Sequence, residues 1–412
     1  MNRMSFFSRP RVWLGVLIVS NGCGAPAVKA PWTATGVTAS TVPAVDLHAG
    51  TAEERVARRD EGAARLATRE ATARLRALIG VLAQRRGFAF GNEDSTAYGV
   101  GWRGAPYRSD IERVCGVPPA VYGWDLFGIE LGQKQNGDRV DFDVMCGRMQ
   151  SAFRLGAINT VSWHAFNPVS GGNAWDKTPA VEASLPGGNA HEVFRAYLDR
   201  VADFFDGCRG EHGERLPIVF RPFHEDSGNW FWWGSSQSSE EQYVQLFRFT
   251  IDYLRQVRDE SQLLIAYSPD GSQVRSERDY LRRYPGDAYV DVLGLDYYFE
   301  SDARPLVSAL ELIVSLAERK GKYAALTEFG MRGSLSRARA EHVNWFTNVF
   351  LDALRASNSA TRIAYALAWR NESEKHFFVP FPSHPMAQDF DRFCRDPLVV
   401  LADEGWDRLA PP

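Results

Sequence analysis

Glu225 and Glu328 each follow a short apolar run, Leu216 to Phe220 in one case and Tyr323 to Leu326 in the other. Runs of this kind suit strands buried on both faces of a parallel sheet, so each carboxylate is expected at a strand exit. Glu225 lies in Arg221-Pro-Phe-His-Glu-Asp-Ser-Gly-Asn-Trp-Phe-Trp-Trp-Gly234, and Glu328 in Leu326-Thr-Glu-Phe-Gly330. Two carboxyl groups at two strand exits, one beside a dense group of tryptophans, meet the demands of glycosidic bond cleavage. That reaction needs a proton for the leaving oxygen and a negative charge close to the anomeric carbon. Burial against aromatic surface favours a protonated carboxyl, so Glu225 suits the acid, while Glu328, with fewer aromatics near it in sequence, suits the nucleophile. His224 and Arg221 are candidates for orienting both groups.

The elements that must hold these residues read as an alternation. Strand-like runs occur at 87–91, 120–126, 158–164, 216–223, 262–268, 290–297, 323–327 and 363–369, and helix-patterned segments at 142–155, 190–205, 240–258, 305–320 and 337–356 separate most of them. Eight strands alternating with helices predict a closed (β/α)₈ TIM barrel, an α/β fold whose active site lies at the C-terminal ends of the strands. On this count Glu225 ends strand four and Glu328 strand seven. A doubly wound open sheet is the other α/β arrangement, but no G-x-G-x-x-G phosphate turn follows the first strand.

The chain has 412 residues, 45% hydrophobic and 24% charged, with a formal net charge of −4, which fits one large catalytic domain over residues 51–412. The mildly acidic balance gives no nucleic-acid footprint. Ahead of that domain, Arg3, Arg9 and Arg11 precede the apolar run Val12 to Val19, as in a signal peptide over residues 1–23 that directs export. Cys23 follows the run as in a lipoprotein, a possible lipid anchor on a bacterial cell envelope or outer membrane. Cleavage near Ala25-Pro-Ala27 or Val28-Lys-Ala30 would instead release a secreted form. Residues 24–50, rich in Ala, Thr, Val, Pro and Gly, suit a flexible linker. Thr51-Ala-Glu-Glu54 has the capping-box pattern and opens a helix expected to reach about Gln84. Cys115, Cys146, Cys208 and Cys394 would remain in the mature chain, either as buried thiols or in one of three full pairings.

With these motifs in place, the chain resembles the family-26 glycoside hydrolases, whose best-known members are endo-β-1,4-mannanases. The resemblance runs from about Phe88 to Val400. Besides the two glutamate motifs it rests on Ala368-Trp-Arg-Asn371, Tyr98-Gly-Val-Gly-Trp102, Pro119-Ala-Val-Tyr-Gly-Trp-Asp125, Ser162-Trp-His164, Leu185-Pro-Gly-Gly188 and His376-Phe-Phe-Val-Pro-Phe-Pro382. It implies a retaining hydrolase of mannan, galactomannan or glucomannan that uses no cofactor and no metal, with Glu225 as acid/base and Glu328 as nucleophile. It also implies His224 supporting the catalytic centre, Tyr298 near the nucleophile, His164, Trp230, Trp369 and Arg370 lining the sugar subsites, and Trp175 in a subsite wall. A monomer is expected. Asp226-Ser227 stands where relatives often have Met-Asn or Asn-Thr, and Asn92-Glu93 where many carry a His before the acidic residue.

Other readings of the same residues are an exo-acting mannobiohydrolase, a β-1,3-xylanase or a mixed-linkage β-glucanase, since the carboxyl pair is indifferent to the sugar bound. Asp296 with His224 and Glu225 would make a metal-dependent hydrolase, but the eight histidines pair nowhere at ligand spacing. A carbohydrate-binding barrel without activity would be expected to have lost a carboxylate, and both are present. Trp232 and Trp233 are as well suited to the core as to sugar contact.

Overall fold

The computed structural model describes residues 52–104, 108–403, 406 and 409. The signal peptide, Cys23, the linker and the Thr51 cap therefore lie outside the described residues. Among those described, no helix is long and apolar enough to cross a membrane.

Eight parallel strands form the barrel: β1 (Phe88–Glu93), β2 (Val121–Asp125), β3 (Ile158–Trp163), β4 (Ile218–Pro222), β5 (Leu263–Tyr267), β6 (Val292–Phe299), β7 (Tyr323–Met331) and β8 (Tyr365–Ala368). Each pairs with the next, and β8 returns to β1 through Ala89↔Tyr365 to Asn92↔Ala368, which closes the barrel. All eight expected strands are present. Their residues are almost entirely buried because the inner face meets the barrel interior and the outer face meets helices. Strand spacing leaves no room for a side chain at Gly91, where a Cβ would come within 1.7 Å of the Val121 carbonyl.

The end opposite the active-site mouth is plugged by α1 (Ala52–Gln84), which ends where the sequence pattern predicts. Its residues Leu75, Leu78, Ile79 and Leu82 recur at helical spacing and pack with the inward-facing Ala89, Val121, Ile158, Val219, Leu264 and Val292. Around the barrel, helices at Phe142–Arg154, His191–Gly207, Glu240–Asp252 and Arg304–Lys320 lie close to their expected positions.

The structure differs from the sequence expectation at several places. The helix expected over 240–258 turns into a π-helix at Tyr253–Val257. The one expected over 337–356 is broken into 3₁₀ turns, a π-helix at Trp345–Leu351 and a single α-turn at Asp352–Arg355. Buried Asp389 captures the Phe346 N–H at 2.9 Å and the Thr347 hydroxyl at 2.5 Å, an alternative to regular α-helical bonding at that point. A small hairpin, Tyr98–Gly99 with Trp102–Arg103, and a short strand, Val399–Val400, were not anticipated. The latter pairs with β1 through Phe88↔Val399.

The four cysteines among the described residues are paired, Cys115 with Cys394 and Cys146 with Cys208. The first link ties two segments separated by 279 residues. Replacing both Cys115 and Cys394 by Ser should remove about 2–4 kcal/mol of stability. Guanidinium unfolding checks this, and an unchanged midpoint under non-reducing conditions would mean the bond does not form in solution.

Candidate active site

The two glutamates meet at the C-terminal mouth of the barrel by different local devices. Strand β4 ends at Pro222, and the chain turns through Phe223 (φ 49°) and Glu225 (φ 54°) before leaving the barrel, the Glu225 N–H donating to the Ser268 carbonyl at 2.7 Å. Glu328 does not end its strand as the sequence reading expects: β7 continues to Met331. Leu295 pairs with Leu326 and Asp296 with Glu328, so Thr327 is an extra residue in β7. This bulge shifts the side-chain alternation and aims Glu328 into the mouth.

Arg221, on β4 and 1% exposed, links the carboxyls of neighbouring strands. One guanidinium nitrogen donates to Asp296 Oδ2 at 2.5 Å and the other to Glu328 Oε2 at 2.7 Å. The second Glu328 oxygen accepts from the Tyr298 hydroxyl at 2.5 Å. Asp296 is completed by the hydroxyls of Ser268 at 2.6 Å and Thr327 at 2.9 Å.

Glu225 has a different environment. Its Oε2 accepts from the Trp230 indole N–H at 2.6 Å. Burial pushes its carboxyl well above the ordinary carboxylate range, with Glu328 and Asp296 adding repulsion and the Trp230 hydrogen bond opposing. His224 is fully enclosed, and burial, then Arg221 and His164, drive its imidazole well below the usual range, so it is neutral.

The expected subsite residues surround this pair. His164, directly after β3, bonds Asp125 through Nδ1 at 2.7 Å and lies 4.5 Å, centroid to centroid, from His224. Although burial works against its charge, His164, Ser162 and the Phe127 N–H hold Asp125 at about 2. Trp175, 49% exposed, stacks on His164 at 5.3 Å. Trp369 follows β8 with its ring 6.1 Å from that of His164, and Arg370 pairs with Asp138 at 2.8 Å. Trp232 and Trp233 are buried in the core, their indole nitrogens donating to the carbonyls of Ala165 and His224 at 2.9 Å each.

Sequence reasoning missed the roles of Asp125, Asp138 and Asp296 as partners of His164, Arg370 and Arg221. Asp125 closes the Pro119–Asp125 motif, a signal the sequence offered, whereas the level of Asp296 on β6 beside Glu328 on β7 shows only in the strand register. Among the described residues, ligand atoms of His224, Asp296 and Glu328 lie within 4.8 Å of one another. This is a different trio from the one the sequence suggested, and a fixed guanidinium already binds both of its carboxyls.

A closed (β/α)₈ barrel with two buried carboxyls at its mouth and an aromatic-lined approach defines a glycoside hydrolase. The chain belongs to glycosyl hydrolase family 26, whose model matches residues 83–355. A protein of Bifidobacterium adolescentis named mannan endo-1,4-beta-mannosidase is 34% identical over 317 residues, 73% of this chain but 31% of its own length. One of the same name from Bacillus subtilis is 29% identical, over 64% of this chain and 69% of its own. Among solved structures, a GH26 beta-mannanase from Bacteroides ovatus superposes with a TM-score of 0.75 at 36% identity, covering 82% of this chain and 96% of that one. A modular endo-beta-1,4-mannanase from Cellulomonas fimi gives 0.73 at 38% identity, covering 79% of this chain and 75% of that one.

Because the Trp230 N–H stabilises the ionised form of Glu225, Trp230→Phe should move the Glu225 titration to still higher pH. Carboxyl carbon chemical shifts followed against pH check the direction, and a downward move would contradict the hydrogen bond.

Proposed function

We propose that this chain is a retaining endo-β-1,4-mannanase acting on mannan, galactomannan or glucomannan by double displacement, with Glu328 as nucleophile and Glu225 as acid/base. The observation that carries the reading is the contrast between the two carboxyls. Glu328 faces a buried cation, while Glu225 is held protonated by its surroundings. In the first step a Glu328 oxygen attacks the anomeric carbon as the glycosidic bond breaks and Glu225 gives its proton to the departing oxygen. In the second, Glu225 takes a proton from water, whose oxygen displaces Glu328 and restores both groups. Arg221 and Tyr298 orient the nucleophile, and neutral His224 packs beside it without adding a competing charge.

His164, Trp175, Trp230, Trp369 and Arg370 form the sugar-binding wall: flat rings cover the C–H faces of pyranoses, and Arg370 supplies donors to hydroxyls. Product profiles on mannan, galactomannan, xylan and mixed-linkage β-glucan separate this reading from a xylanase or glucanase. A profile containing only mannobiose would indicate the exo-acting form. The family relationship and the mannanase names of the relatives favour mannan. A polymeric substrate and two disulfides both suit export, with anchoring through Cys23 or release by signal cleavage, of a monomer whose catalytic domain begins near residue 51.

Glu328→Ala should reduce mannan hydrolysis to near background while leaving oligosaccharide binding in place, and azide should restore cleavage of an activated aryl mannoside. Calorimetric titration and the azide assay read the two arms. Near-wild-type turnover of mannan would eliminate Glu328 as nucleophile.

Stereochemistry tests the scheme as a whole. Two inversions return the starting anomer, so proton NMR in the first minutes of mannooligosaccharide hydrolysis should show the β-anomer before mutarotation. Initial α-anomer would mean direct attack by water and an inverting enzyme.

A further inference from the structure

The loop from Phe223 to Ser239 carries both Glu225 and Trp230, and two of its residues, Phe223 and Glu225, occupy the left-handed region that side chains other than glycine avoid. Such a conformation persists only where the surroundings enforce it. On the groove side the restraints are the Glu225 N–H to Ser268 bond and the indole bond from Trp230. On the other side a polar cavity of about 660 Å³ lies behind the loop, lined by Asp226, Ser227, Ser238, Tyr267 and Arg283 among others.

Arg283 is 4% exposed and reaches several points of that loop. Its Nη2 donates to the Trp233 carbonyl at 3.0 Å and to Ser238 Oγ at 2.6 Å, and its Nε lies 3.3 Å from Asp226 Oδ2. Its guanidinium also covers the ring of Tyr243 at 4.4 Å, and the Tyr243 hydroxyl donates to the Phe223 carbonyl at 2.9 Å. Asp226 is wholly buried beside Glu225 in sequence, and its side chain points away from the groove toward this cation. One arginine thus grips the loop at Asp226, Trp233 and Ser238 and, through Tyr243, at Phe223.

We propose that Arg283, paired with Asp226, is a positioning residue that holds the loop from behind so that the proton on Glu225 meets the glycosidic oxygen. The proposal rests on the acid role given to Glu225 above. It accounts for a wholly buried aspartate next to Glu225: the carboxyl serves the loop and not the sugar.

The readout is the balance between two substrates, mannan, whose leaving group needs a proton, and a 2,4-dinitrophenyl β-mannobioside, whose leaving group does not. Arg283→Gln should slow mannan turnover roughly tenfold to a hundredfold, the scale of a catalytic group displaced by an ångström or so. Dinitrophenol release in the pre-steady state should change by less than about threefold, since no proton is required. Arg283→Lys should recover part of the loss, because an ammonium still pairs with Asp226 but cannot span Trp233 and Ser238 together. Asp226→Asn, which preserves shape, should give the same selective loss at smaller size and provides the test if Arg283→Gln does not fold, as judged by circular dichroism. Equal losses on both substrates in a folded variant, or no loss, would overturn the proposal. Glu225→Ala run in parallel separates the causes. A selective loss there without one in the Arg283 and Asp226 variants sinks the loop bracket alone, and none in Glu225→Ala sinks the acid assignment together with it.

Discussion

The buried guanidinium of Arg221 is the interaction on which the rest of the site depends. An isolated charge in the interior is costly, and it is tolerated when opposite charges are hydrogen-bonded to it. Arg221 sits between Asp296 and Glu328, and each of those carboxyls has further donors from Tyr298, Ser268 or Thr327. Removing the arginine would leave two buried acidic side chains on neighbouring strands without their shared cation. The residue that introduces the bulge in β7, Thr327, is also one of the donors, so backbone irregularity and charge placement are a single solution to aiming Glu328.

Around this fixed centre the aromatic residues divide the labour. Trp232 and Trp233 spend their indole nitrogens on main-chain carbonyls and seat their part of the loop in the core. Trp230 spends its own on Glu225, tying a partly exposed ring to the buried carboxyl. Trp175 and Trp369 keep exposed faces near His164, whose own ring is fixed by the strongly acidic Asp125. Burial and hydrogen bonding therefore increase inward, from Trp175 at the rim to the ion network around Arg221.

Much of this was readable in the sequence because it follows from short-range patterns. Apolar runs bounded by polar residues located all eight strands, and the position of Glu225 after β4 followed from chain order. What could not be read depends on contacts distant in the chain. The extra residue in β7 is visible only against the registers of β6 and β8. The broken helix near Trp345 reflects Asp389, more than forty residues away. The pairing of Cys115 with Cys394 stayed open because four cysteines allow three connectivities. Asp296 drew attention as a metal ligand, and its service to Arg221 joins two strands, β6 and β4, that are not neighbours in the sheet, which no local motif encodes.

The first strand of the barrel bonds to the last, and also to Val399–Val400 beyond it. During synthesis, β1 must therefore wait for most of the chain before either outer partner exists, and the leucine stripe of α1 has no closed floor to cover until then. Contacts of such sequence separation make folding slow, and the waiting chain exposes apolar surface that invites aggregation. Topology thus makes the seam between β1 and β8 a late step in closing this barrel.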